Sequence, residues 1–406
     1  MTTHSARHHD VRHPDVRHHD VVVVGARCAG AATAMLLARA GHDVAVVDRS
    51  AVVGDPVSTH SVARGGVVAL ARWGLLDAVL ASGAPPVREV RFRSPDLDLT
   101  RPVKDRCGVD LLVAPRRYAL DSVLRDAALA AGARLTTGVT ATGIRRDRTG
   151  RVTGITARTA GGEPVEICAR HVVGADGVRS RTAAWFGAPT VDSFVADTAT
   201  FYFYVGAVPW RGHEFHVAPD AFAGVFLTHG GEGCVWLCRP TPALDPVRHA
   251  GAARAAALLD QLTAVAPDLA ERVRGGLITS PVRGAAGLPD HVRRPAGPGW
   301  ALVGDAGYHR DPITGHGITD AFRDAELLAT ALGHALHDPA AEREALGGYR
   351  DRRDAALRET FDLTRALAAF PAPDCFLELQ KQLADALDRE AELLASSRTD
   401  PAATAA

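Results

Sequence analysis

The chain has 406 residues, with 46 Lys and Arg against 47 Asp and Glu, and it is 23% charged and 47% hydrophobic. These proportions exclude a wholly disordered chain, a collagen-like repeat and a coiled-coil rod. The formal net charge of −1 supplies no global field for nucleic acid or an anionic membrane, and no apolar run reaches the ~18 to 20 residues of an integral membrane span. The expectation is a folded protein of roughly two or three domains.

In chain order, residues 7–20 form a five-residue repeat that carries six histidines if His4 is included. Its period and its proline suit no packed helix and no acidic or cysteine ligand set accompanies it, so residues 1–19 read as a disordered extension rather than a metal site. No hydrophobic signal-peptide core is present, and the six cysteines, at 28, 107, 168, 234, 238 and 375, are too scattered for a secreted disulfide scaffold. A cytoplasmic protein with reduced thiols is expected. Cys234 and Cys238 would lie about 13 Å apart along one strand, beyond disulfide reach, as two small hydrophobes on one face.

Order is expected from Asp20. Val21 to Val24 is the apolar run of a strand buried on both faces, followed by a glycine-containing turn, an alanine-rich helix from Cys28 to Ala40 that stops at Gly41, and a second strand ending at Asp48. This is a parallel βαβ unit. Val62 to Ala81 has helical spacing interrupted at Gly74, Val87 to Phe92 alternates as a strand, and Pro115 to Ala131 is another helix. Short strands then run from Arg134 to Ile167 and return to an apolar strand, His171 to Ala175. Residues 195–239 are an aromatic, alternating all-β region, Trp300 to Val303 is a further buried strand, Gly317 to Ala335 a helix, and the rest to about Ser396 helical with a break at Pro371 and Pro373.

Three turns carry the chemistry. Gly25-Ala26-Arg27-Cys28-Ala29-Gly30, with Asp48 about 20 residues on, has the strand-turn-helix setting of a dinucleotide fingerprint, in which glycines allow close backbone approach to a pyrophosphate and the acid takes ribose hydroxyls. Arg27 replaces the second glycine, and its guanidinium can fold outward and pair with phosphate. Gly174-Ala175-Asp176-Gly177 and Gly304-Asp305-Ala306-Gly307 each follow a buried strand, so all three belong to the carboxyl edge of a parallel sheet, where such folds bind ligands. The chain has no phosphate-loop lysine motif, no H-E-x-x-H, no nucleophile elbow and no paired C-x-x-C; no metal ligand set is identified.

In this order the three turns resemble the fingerprints of the class A FAD-dependent monooxygenases, the family of para-hydroxybenzoate hydroxylase, over about residues 20–335. Ser58-Thr59-His60, Arg72 to Asp77 and Gly304 to Thr314 look like an actinobacterial branch of FAD-dependent oxidoreductases related to geranylgeranyl reductases and met in small-molecule metabolism. The W-x-W-x-I-P motif of tryptophan-type flavin halogenases is missing.

The resemblance implies an α/β fold: a Rossmann-like FAD-binding domain (20–86, 105–190 and 284–336) interleaved with a mixed β-sheet substrate domain (87–104 and 191–283), then a C-terminal helical segment (337–398) and a disordered tail (399–406). It implies FAD as cofactor, NADPH or NADH as a transient electron donor, and a monomer or homodimer. Gly25, Arg27, Cys28, Ala29, Gly30, Asp48 and Arg49 would hold the ADP part, Arg117 would contact the cofactor, Asp176 and Gly177 would serve FAD and the nicotinamide, and Gly304 and Asp305 would hold ribityl or pyrophosphate oxygens. Pro312, Gly315, Gly317 and Ile318 open a helix whose free amides suit the anionic pyrimidine edge of a reduced flavin, whereas Asp320 and Asp324 read as ordinary helix-start acids.

The expected activity is hydroxylation or epoxidation of a small aromatic or polycyclic molecule with O2; the alternatives are reduction of an unsaturated or isoprenoid-like substrate and a flavin-bound cyclase without redox turnover. His60 and His316 are candidate proton donors or acceptors, and Tyr202, Tyr204 and His216 candidate pocket residues on the aromatic sheet.

Overall fold

The computed structural model describes residues 18–396; the proposed extension before His18 and the tail after Ser396 lie outside the described residues. The first strand, β1 (His18–Val24), starts three residues before the expected Val21, so His18 and His19 of the expected 1–19 extension are ordered in it: His19 and Asp43 share a 3.0 Å side-chain contact that continues the pairing of β1 with its neighbour. A turn leads to α1 (Cys28–Arg39) and β2 (Val44–Asp48), and β1 and β2 pair in parallel. Then come α2 (Arg64–Arg72) and α3 (Leu76–Ala81), parted at Gly74, whose φ of +72° is costly for any residue with a side chain.

The hairpin β3 (Glu89–Ser94) and β4 (Leu97–Pro102) precedes α4 (Arg117–Ala130), β5 (Arg134–Thr137), β6 (Val139–Arg146), β7 (Val152–Thr159), β8 (Pro164–Gly174) and α5 (Arg181–Phe186). Next are β9 (Thr190–Val195), β10 (Thr198–Gly206), β11 (His213–Ala218), β12 (Ala221–Leu227), β13 (Gly233–Pro240), α6 (Asp245–His249), α7 (Arg254–Val265) and α8 (Pro267–Arg274). Six short strands follow, β14 (Leu277–Ile278), β15 (Arg283–Ala286), β16 (Pro289–Arg293), β17 (Ala296–Gly297), β18 (Trp300–Leu302) and β19 (Tyr308–His309), and then α9 (Gly317–His337), α10 (Glu342–Ala368) and α11 (Pro373–Ser396).

One sheet has the order β17-β18-β8-β1-β2-β5, with β7 on β8 and β6 on β7. From β18 to β5 every neighbour is parallel, so the turns after β1, β8 and β18 emerge on one edge. The valine run explains the centre of this sheet: Val21 and Val23 pack against α1 and α9, and Val22 and Val24 pack on the other face with β6, β7 and α5.

The second sheet has the order β14-β10-β13-β12-β11-β3-β4, with β15 on β10. Alternation divides its side chains. Phe201, Phe203 and Val205 meet Leu258 and Leu262 of α7 and Leu269 and Val273 of α8, whereas Tyr202, Tyr204, Phe222, Phe226 and Trp236 face Ile313 and the Phe376, Leu383 and Leu387 stripe of α11. Two strands depart from the expected boundaries: β9 pairs with β16, in a three-stranded sheet with β19, and β15 joins the aromatic sheet. Cys234 and Cys238 are both buried thiols on one face of β13, unbridged as expected.

Candidate cofactor and substrate site

The three strand-end turns lock onto one another around the start of α1. A Cβ on Gly25, where φ is +106°, would stand 2.4 Å from the Ala175 carbonyl oxygen, and one on Gly30 would stand 1.9 Å from the Gly25 carbonyl oxygen. Gly304, with φ +59°, faces the Ala29 methyl, which an added Cβ would approach to 2.8 Å. Only glycine lets the backbones meet this closely. Arg27 caps α1 with an exposed side chain and no side-chain hydrogen bond, and the first turn holds no acid, so the amides of Cys28, Ala29 and Gly30 are left for an anion.

Helix α4 braces this loop from behind. Asp48 Oδ2 accepts from the Ala26 amide (2.7 Å) and pairs with Arg125 (3.1 Å), its Oδ1 accepts from the Ser50 amide (2.7 Å), and Arg125 also donates to the Ala26 carbonyl (2.8 Å). Asp48, expected to take ribose hydroxyls, therefore already holds the turn, and Arg49 beside it is exposed. Arg117, the first residue of α4, is 3.1 Å from Asp121, which also accepts from the Cys28 thiol at 3.2 Å. Asp176 is likewise spent on its own loop, accepting from the Ser180 and Thr182 hydroxyls and the Arg181 and Thr182 amides, while Gly177 faces open space.

Asp305 is different. Among the described residues its carboxylate has no hydrogen-bond partner; burial pushes its pKa up, and the charges of His309 and Arg117 pull it back. At the adjoining loop the Asp311 carboxylate fixes the Ile313 amide (2.9 Å), Gly315 has a φ of +67°, and Cβ atoms on Gly315 or Gly317 would meet nothing within 4 Å. No side chain caps α9, so the Gly317 and Ile318 amides are free, with Pro312 exposed beside them. Asp320 and Asp324 are buried, deeper than helix-start acids usually lie: Asp320 pairs with Arg310 (2.7 Å) and Arg323 (3.2 Å), and Asp324 with Arg323 (2.8 Å). An uncapped α1, an unpartnered acid and an open glycine cradle at α9 fit FAD.

His60 lies beyond this edge, 1% exposed and with a φ of +68°, a backbone conformation uncommon outside glycine. Its Nε2 hydrogen-bonds the Tyr204 hydroxyl, and the Ser58 amide donates to the Tyr202 hydroxyl at 3.0 Å. The Arg116 guanidinium, ion-paired with Asp55, sits 3.8 Å from the centre of the Tyr204 ring. Burial lowers the His60 pKa to about 3, with Asp55 opposing and Arg117, Arg116 and Arg283 reinforcing the shift, so the imidazole is neutral at pH 7. The structure thus unites His60, Tyr202 and Tyr204.

His216 does not join them. It projects from the other face of the sheet, 3.6 Å from Glu214, which Arg272 also holds (2.6 Å). The histidine on the aromatic face is His213, which sequence reading missed. Register puts Tyr204 opposite Cys234 and Cys234 opposite Phe226, and the Phe226 ring meets His213 edge-on at 4.9 Å. Strand alternation alone finds it once β11 is known to begin at His213.

His213 lines a cavity of about 210 Å3 between the aromatic sheet, the 312–316 loop and α11, with Phe215, Phe222, Phe226 and Trp236 as one wall and Gln380, Ala384 and Leu387 as the other. His316, at the cavity rim, is lowered to about 3 by burial, with Arg310 adding to the shift.

The sequence profile of the family described as "FAD binding domain" matches residues 18–255. The chain belongs to this FAD-binding family. Proteins similar to it in sequence include the digeranylgeranylglycerophospholipid reductase of Methanocella arvoryzae, 26% identical over 353 residues (84% of this chain, 82% of that one). The menaquinone reductase of Mycolicibacterium smegmatis is 29% identical over 339 residues (77% and 76%). Among solved structures, a flavin-dependent brominase superposes with a TM-score of 0.79 at 17% identity (93% of this chain, 94% of that one). A probable FAD-dependent monooxygenase from Pseudomonas aeruginosa superposes with a TM-score of 0.73 at 21% identity (92% and 100%). This FAD-binding protein is a flavin-dependent oxidoreductase. Among the described residues no helix is long and apolar enough to cross a membrane.

Proposed function

We propose that this FAD-binding protein is a single-component monooxygenase that hydroxylates or epoxidises a compact aromatic or polycyclic molecule. NADH or NADPH and one proton supply two electrons, one atom of O2 enters the substrate, and the other leaves as water. FAD, held by the α1 amides, Arg117, Asp305 and the start of α9, supplies the electron transfer and the oxygen activation. The chain's own residues do the rest. The aromatic sheet and α11 exclude water, and the neutral His60 Nε2 hydrogen-bonds the Tyr204 hydroxyl and fixes its direction; burial pushes the phenol up and the imidazole down, so the proton stays on Tyr204. His316 stands as a second neutral imidazole at the cavity rim.

The observation that carries this reading is the cavity. At about 210 Å3 it is smaller than the roughly 300 to 1,000 Å3 of drug-sized ligand sites, which suits a compact ring system. Reduction of an unsaturated or isoprenoid-like substrate is the second reading, supported by the names of the sequence relatives. Substrate-dependent oxidation of NADH or NADPH, followed with an oxygen electrode, separates them: equimolar oxygen uptake with an oxygenated product is expected. Stoichiometric turnover under argon with a saturated product would establish the reductase instead.

A further inference from the structure

The cavity wall is aromatic, yet it holds polar atoms that nothing satisfies. Trp236 Nε1, Gln380 Nε2 and both ring nitrogens of His213 are buried without a hydrogen-bond partner among the described residues. Buried polar groups are ordinarily paired, and these three side chains, joined on the same lining by the unpartnered Thr200 Oγ1, Thr314 Oγ1 and His316 Nδ1, call for a partner. Trp236 is only 4% exposed and His213 1%. The indole lies across Gly224, where a Cβ would come within 2.7 Å of the ring, so the absence of a side chain there directs Trp236 along the sheet toward β11.

The donor types define the missing partner. An indole N–H and an amide NH2 only donate, so the ligand must accept there. Burial alone holds His213 neutral, with a pKa near 3, so one ring nitrogen donates and the other accepts. The charged lining residues are committed: Arg64 pairs with Asp388 (2.9 Å) and donates to the Lys104 and Val109 carbonyls. No lining cation is left for a carboxylate.

We propose that this cavity selects a neutral, compact fused-ring ligand bearing oxygen acceptors, such as a ketone and a hydroxyl, read by Trp236, Gln380 and His213. The aromatic residues supply contact area and these three supply orientation. The proposal rests on the cavity being the substrate site of the reaction proposed above, and it names the substrate class.

The test is calorimetric titration of the FAD-loaded protein with 5-hydroxy-1-tetralone, with tetralin, which has the same rings without oxygen, and with 5,6,7,8-tetrahydronaphthalene-1-carboxylate. The hydroxytetralone should bind at least tenfold more tightly than either. Trp236→Phe, which keeps a ring and deletes the N–H, should weaken the hydroxytetralone about tenfold and leave tetralin unchanged. Gln380→Leu, on a half-buried position of α11, should do the same if Trp236→Phe proves unstable. Equal binding of tetralin and the hydroxytetralone, a preference for the carboxylate, or full affinity in both variants overturns the proposal. Neither reductant nor turnover is needed, so a protein that binds the hydroxytetralone but consumes no oxygen fails the monooxygenase reading and leaves this one standing.

Discussion

The imidazole of His60 lies parallel to the phenol of Tyr204, with 7° between the planes and 5.7 Å between the centroids, and the two side chains share a hydrogen bond. Tyr204→Phe would keep the ring and leave the second imidazole nitrogen unpaired as well, since Nδ1 already has no partner. A buried polar group left unsatisfied costs about 1 to 3 kcal/mol. The variant should melt lower, bind FAD normally and lose about tenfold in kcat, the scale of one lost hydrogen bond. Thermal unfolding, flavin content and turnover measured on the same preparation check this, and an unchanged kcat would remove His60 and Tyr204 from the chemistry.

Asp305 and Asp324 should separate cofactor binding from stability. Asp305→Ala removes a carboxylate that the protein itself does not use; losing a charged hydrogen-bond partner is worth about 1.5 to 3 kcal/mol, so the FAD dissociation constant should rise tenfold or more in a fluorescence titration while the apoprotein melts normally. Asp324→Ala removes one of three carboxylates around the buried Arg323 guanidinium, leaving Asp320 and Glu390, so it should lower the melting temperature, yet the folded fraction should bind FAD as wild type does.

Acid should destabilise the protein through its buried histidines. His60, His213 and His316 have folded pKa values near 3, against about 6.5 when unfolded. Between these values the unfolded chain binds more protons, so the stability is complete above about pH 6.5 and falls as pH drops toward 3. Each histidine contributes a slope of up to about 1.4 kcal/mol per pH unit. Urea unfolding at several pH values between 4 and 6.5 should show a slope shallower by about one proton in His213→Phe.

Cutting the chain after Arg17 should leave FAD content unchanged, because the described cofactor site begins with β1. Cutting after His19 should be worse, since it removes the strand's pairing of His18 and His19 with Cys168 and Ala169 and the contact to Asp43. Absorbance of released flavin per mole of protein measures both; equal losses would show that β1 begins later than His18.

The cofactor edge was legible because each of its signals is local: an apolar run, a glycine that must have positive φ, and a helix that follows directly. The use of individual lone pairs was not: Asp48 and Asp176, expected at the cofactor, also hold their own loops through the Ala26 amide and the Thr182 hydroxyl. Strand parity was readable within β10, which places Tyr202 and Tyr204 together. It was lost between β10 and β11, where the 207–212 connection, with Ala207 at a φ of +60°, resets the alternation and turns His213 inward in place of His216. The positive φ of His60 has no signature in a non-glycine sequence. The α11 stripe was readable as a helix, but which sheet it covers depends on contacts more than a hundred residues apart.

Helix α11 is the last described element to be synthesised, and it forms one wall of the aromatic cavity. The glycine turns, Arg117, Asp305 and the start of α9 all precede it. The helix also reaches back to the cofactor edge, because its Glu390 pairs with the buried Arg323 of α9 (2.7 Å) and its Asp388 with Arg64 (2.9 Å). Any lesion that truncates the chain before Pro373 would therefore remove a wall of the pocket and, in the same stroke, a counter-charge of the helix that begins at the cofactor edge.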